Sequence, residues 1–146
     1  MSLFALLFDV LVIGQYLMGG DFGRTVEGAL RAEGIAARVQ TQETWGTSLA
    51  GHWTGSAQTE VDARSLIGEG TVGAVIFADA IRPAGVDQPD RITVEAAATW
   101  HSFATGANEA ARVMVMAPWT APGEGDLATW AARIDVDHAA ARRLAD

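Results

Sequence analysis

Residues 10–13, Val-Leu-Val-Ile, form a short unbroken apolar run that stops at Gly14 and opens into a turn with glycines at 14, 19, 20 and 23. A β-branched run this short, with no polar alternation, is the pattern of a central strand buried on both faces. Phe22, Val26, Ala29 and Leu30 then recur at helical spacing, and Gly34 supplies a stop. Glu27 and Arg31 stand four apart on that helix, a small stabilising pair. A buried strand, a glycine turn and a helix make the opening unit of an alternating α/β fold.

The rest of the chain repeats the alternation. Ala37, Val39 and Thr41 alternate with polar residues and predict a second strand nearer a sheet edge. Residues 44–56 read as a loop containing Trp45, Gly46, Gly51 and Trp53. Thr59 with Asp62 resembles a capping box for a short helix through Leu66 and Ile67. Residues 72–78 (VGAVIFA) form the third strand, and residues 79–91 a loop with two prolines and a glycine. Thr93 is expected to cap a helix carrying Ala96, Trp100 and Phe103 and ending near Gly106. Residues 112–116 (RVMVM) form the fourth strand, and residues 118–125 a second Pro/Gly loop. Asp126 opens a last helix with Leu127, Trp130, Ile134 and His138 on one stripe. The order βαβαβαβα predicts one domain over residues 1–146. Its fold class is α/β: a doubly wound parallel sheet of about four strands in a flavodoxin-like three-layer arrangement. Ligands in such sheets sit beyond the carboxyl ends of the strands. Residues 14–23, 44–53, 79–90 and 117–125 fall there.

Bulk properties narrow the function classes. A chain of 146 residues, 49% of them apolar, can bury a core without disulfides or metals. Cysteine is absent, which excludes thiol chemistry. The net charge is −8 and every basic residue is arginine, with no basic stripe, so no nucleic-acid partner is expected. Residues 1–13 lack a basic leading region, are interrupted by Asp9 and are shorter than the ~20 residues a bilayer span needs. They read as strand lead-in, with no membrane association and a cytoplasmic location for the chain as it stands.

The stretch VLVIGQYLMG at 10–19 resembles the opening block of the SGNH (GDSL-like) hydrolases, in which an apolar strand runs into Gly-x-Ser-Leu. WGTSLAGHWTGSA at 45–57 is similar to the second block of a bacterial SGNH-like group. VDARSLIGEG (61–70), AVIFADAI (74–81), ARVMVMAPW (111–119) and WAARIDVD (130–137) are similar to that group in order and spacing. The resemblance implies an SGNH-like fold and hydrolysis of an ester or of an acetyl group on a carbohydrate. It places Gly46 where a backbone N–H serves the oxyanion, and Tyr16 where the nucleophilic serine belongs. A phenol there is bulkier and far less nucleophilic toward esters without a dedicated base. Ala78-Asp79-Ala80 stands where the family's Asn block is expected, and the family's fifth strand with its Asp-x-x-His loop has no counterpart before residue 146. The expectation is therefore an impaired or inactive relative, lacking its last strand.

Asp135 and His138 do have Asp-x-x-His spacing, as an orienting acid and a general base would. The same residues fit an unbroken helical stripe, and that reading weighs more. Ser48 and His52 are four apart, spacing open to a substitute nucleophile–base pair or to hydrogen bonding within the loop. Gln15, Ser48, His52 and Asp79 are the candidate ligand contacts. Trp45, Trp53 and Trp119 are placed on loops at the same edge. The glycines at 19, 20 and 23 with Arg24 and Thr25 offer an alternative phosphate or nucleotide cradle, although neither a P-loop nor the dinucleotide fingerprint is present. The three histidines lack metal-ligand spacing, so no metal and no cofactor are expected. The partners foreseen are a small ester or carbohydrate ligand and, through an open sheet edge, a second copy of the chain. The readings are thus an impaired SGNH-like hydrolase, a non-catalytic ligand-binding domain, or a flavodoxin-like phosphate-binding module.

Overall fold

The computed structural model describes residues 8–14, 21–44, 46–55, 60–78 and 91–116, with single positions 132, 135 and 139. The expected turn at 15–20, the loops at 79–90 and 117–125 and most of the last helix lie outside the described residues. The elements are β1 (Phe8–Gly14), α1 (Phe22–Ala32), β2 (Ala37–Glu43), α2 (Leu49–Thr54), α3 (Ala63–Gly68), β3 (Val72–Ala78), α4 (Arg91–Ala107) and β4 (Arg112–Val115). The four strands form one parallel sheet in the order β2-β1-β3-β4. This is the α/β architecture that the alternating pattern predicts, with the half-polar second strand at an edge.

The central strands are apolar because both faces are covered. Leu11 and Ile13 pack with Val75, Phe77 and Trp100 on the side of α2, α3 and α4. Val10, Ala37 and Ala74 pack on the opposite side, with Leu30 of α1 against them. Trp100 anchors the larger cluster. It is fully buried, and its indole N–H donates to the Leu49 carbonyl at 3.1 Å. Trp53 meets Trp100 and Phe103 edge-on, with centroids 4.9 and 5.5 Å apart.

Three local expectations are revised. Part of the stretch read as loop at 44–56 is helix α2. Ser48 caps it, its hydroxyl accepting from Gly51 N–H at 3.2 Å, and the buried Leu49 and His52 fix it to the core. Helix α3 is capped by Asp62, whose Oδ1 accepts from Arg64 and Ser65 N–H, while Thr59 lies outside the described residues. Helix α4 starts at Arg91, so Thr93 sits in its first turn with its side chain buried, instead of capping.

Candidate functional site

The helix after β1 covers one face of the sheet and the helix after β3 covers the other. Their strands are neighbours, so the topological switch falls between the carboxyl ends of β1 and β3. Gly14 ends β1 at that point. A Cβ on Gly14 would lie 2.0 Å from the Ala78 carbonyl oxygen and 2.9 Å from Ala78 Cβ. Only glycine fits, and its absence of side chain lets the two strand ends close together beneath the edge.

The Gly14 carbonyl is held from the other side by the second loop. It accepts from Thr44 N–H at 3.3 Å and from His52 Nε2 at 3.0 Å. His52 is 2% exposed. Its Nδ1 lies 3.0 Å from Gln42 Nε2, and Gln42 Oε1 accepts from Ala63 N–H at 2.6 Å. That last bond fixes the amide orientation, so Gln42 donates to Nδ1 and the ring proton sits on Nε2. The result is a buried chain of hydrogen bonds tying β1, β2, α2 and α3 together directly beneath the edge.

Gly46 lies in the turn that follows β2, where Thr47 N–H donates to the Thr44 carbonyl at 3.2 Å. Its φ of 69° is in the left-handed region that glycine tolerates. The Gly46 N–H makes no hydrogen bond among the described residues. Ser48 is exposed and its hydroxyl turns back to cap α2. The two ring nitrogens of His52 turn to Gly14 and Gln42, and Ser48 Oγ does not bond to the ring. Ser48, the cap, and His52 are thus joined through the backbone, His52 N–H donating to the Ser48 carbonyl at 2.9 Å, and their side chains form no nucleophile–base pair. Trp53, expected on an edge loop, is on α2 against Trp100 and Phe103 instead, because α2 turns it into the helical layer.

Two oxygens at the end of β2 stand out among the described residues. Glu43 Oε2 and Thr44 Oγ1 are buried without a hydrogen-bond partner. Burial raises the Glu43 carboxyl above the usual glutamate range. Pattern reading passed over Gln42 and Glu43. The available signal was two consecutive polar residues ending a strand just before the candidate oxyanion glycine.

At the start of α1, Asp21 occupies the N-cap position without a side-chain cap, and its carboxylate pairs with Arg24. Thr25 Oγ1 donates to the Asp21 carbonyl at 3.1 Å. Gly23 brings α1 close to β2, where a Cβ would meet Thr41 Cγ2 at 3.0 Å. Gln15, Tyr16, Asp79 and His138 lie outside the described residues. Asp135 is helical and exposed. Among the described residues no group of three or more His, Asp or Glu side chains is arranged to hold a metal, and no helix is long and apolar enough to cross a membrane.

No family model matches the sequence, and no curated protein does. A solved structure does resemble the fold: a protein from Slackia heliotrinireducens named "a putative SGNH hydrolase", with a TM-score of 0.63 at 16% sequence identity. The alignment covers 95% of this chain and 70% of that one. The likeness extends over the parallel sheet and its flanking helices.

Proposed function

We propose that this domain descends from SGNH-type ester hydrolases and keeps the oxyanion corner of their cleft, while Tyr16 in the nucleophile position leaves ester or acetyl-ester hydrolysis impaired or lost. The observation that carries the reading is Gly46. It follows β2 at the carboxyl edge, adopts a glycine conformation and keeps its N–H unpaired among the described residues. A preorganised donor of this kind is worth roughly 3 kcal/mol to an oxyanion-forming step in working enzymes. The fold shared with the SGNH-named structure supports the descent. In an active relative a serine attacks the ester carbonyl, a histidine takes its proton and the glycine N–H meets the developing charge. Without the serine, the remaining donors give only residual rate.

Hydrolysis of p-nitrophenyl acetate and labelling by a fluorophosphonate test this directly. Both are expected at background. Labelling that disappears on Ser48→Ala would place a working nucleophile in α2's cap and overturn the loss of activity.

A second reading, a non-catalytic domain binding a small polar or carbohydrate ligand at the same edge, is favoured by the unpartnered oxygens of Glu43 and Thr44. The flavodoxin-like phosphate reading has less support, since Asp21 sets a carboxylate at the very helix start an anion would need. Thermal-shift panels of simple sugars and of phosphate, nucleotides and flavin separate these readings. Stabilisation by a sugar supports the second, and stabilisation by a phosphate compound the third.

A further inference from the structure

A recess of about 560 Å³ opens on the α2–α3 side of the sheet and shares Gln42 and His52 with the hydrogen-bond chain beneath the edge. Its volume is in the range of small-ligand pockets. Gln42 and His52 line it, both buried, and Val61 and Phe103 add apolar surface. Arg64 and Ser65 supply polar groups. The Arg64 guanidinium lies over the Trp53 ring, 4.7 Å from its centroid, and donates from Nη1 to the Trp53 carbonyl at 3.3 Å. The cation–π contact and that one bond restrain the side chain, while Nε and Nη2 keep N–H donors with no partner among the described residues. Arg64 also has no carboxylate partner there, although the chain carries a net charge of −8.

We infer that this recess is a binding site for a small monocarboxylate with a flat apolar body, its carboxylate on Arg64 and its body against Phe103 and Val61. A planar, pre-positioned guanidinium matches a carboxylate through paired hydrogen bonds. The contact with Trp53 restrains the Arg64 side chain before binding, which lowers the entropy lost on binding. Asp62 also lines the recess, with its Oδ1 engaged in capping α3. Its charge weakens the binding of any anion and opposes a dicarboxylate more than a monocarboxylate. In a strongly acidic protein, anion binding needs such a local site, because the overall field repels anions.

The test is a titration of the ¹⁵N-labelled chain with benzoate, with benzamide as the neutral isostere. Benzoate is expected to shift the Arg64 Nε–H, the Trp53 indole N–H and the Ser65 amide saturably. Benzamide should bind at least tenfold more weakly. Arg64→Gln, at an exposed position, should keep the melting temperature and weaken benzoate at least tenfold; Arg64→Lys should be intermediate. Equal binding of benzamide, unchanged binding by Arg64→Gln, shifts confined to other residues, or no saturable shift up to ~20 mM, beyond the weakest useful affinity of ~1 mM, each overturns the site. Esterase and labelling results do not enter this outcome, so failure here and failure of the hydrolase reading are separable.

Discussion

Asp9 is the one charge inside the central strand, 6% exposed as a residue, and its acceptability rests on a residue 29 positions away. Arg38 on β2 binds both of its carboxylate oxygens at 2.8 Å, and Thr71 Oγ1 adds a bond at 3.1 Å. The Arg38 hydrogen bonds hold the Asp9 carboxyl below its usual range against the opposing effect of burial. The unfolded chain therefore binds this proton at higher pH than the folded one. Stability from the pair is complete above the ordinary aspartate range, near pH 4, and is lost as pH falls through the lower folded value. Arg38→Met is expected to lower the melting temperature by several degrees at pH 7, with the gap to wild type narrowing below about pH 4 as Asp9 is protonated; melts across pH check this. Glu43 has the opposite sign. Its folded carboxyl is raised by burial, so the folded state holds the proton longer, and stability falls as pH rises from the ordinary glutamate range through the folded value. Glu43→Gln is expected to raise the melting temperature at pH 7 and to leave it unchanged below about pH 4, where both states carry the proton. A loss of stability at pH 7 would show that the carboxylate has a partner.

Helix α2 is short, and six residues cannot hold a helix by propensity. Its place depends on the Ser48 cap, on Leu49 in the core and on the His52–Gln42 chain. Gln42 is the node, since one amide serves the His52 ring and the Ala63 N–H. Gln42→Leu keeps the bulk but removes the acceptor of the Ala63 N–H and the donor to His52 Nδ1, a cost of roughly 2–4 kcal/mol. Chemical denaturation measures it. Because His52 holds the Gly14 carbonyl, the same variant is expected to shift the Gly14 and Thr44 amide resonances, which a purely local defect in α3 would not do.

At the scale of the whole molecule, the sheet is covered on both faces, with β1 and β3 inside and β2 and β4 outermost among the described strands. Amide exchange should follow that order. Amides of β1 and β3 are expected to exchange only through global opening, and those of β2 and β4 through smaller openings. Equal protection in β4 would mean that another segment or a second chain covers that edge. The architecture was legible because its signals are local: an unbroken apolar run for a strand buried on both sides, a helical period for its cover, and alternation in residues 37–41 for a strand with only one inner neighbour. The α2 helix was missed because its cap and its core contacts outweigh a glycine-rich, loop-like composition. The site was legible only in part. Gly14 and Gly46 could be placed at the carboxyl edge from chain order alone. The roles of the polar residues could not, because they depend on which groups folding brings together. Asp9 reads as an interruption until Arg38 lies beside it, and His52 reads as a candidate base until its ring is found against Gly14, 38 residues earlier. Spacing along the chain carries the period of a helix or strand. Hydrogen-bond partners across the sheet are set by register and helix placement, and those arise only when the tertiary structure closes.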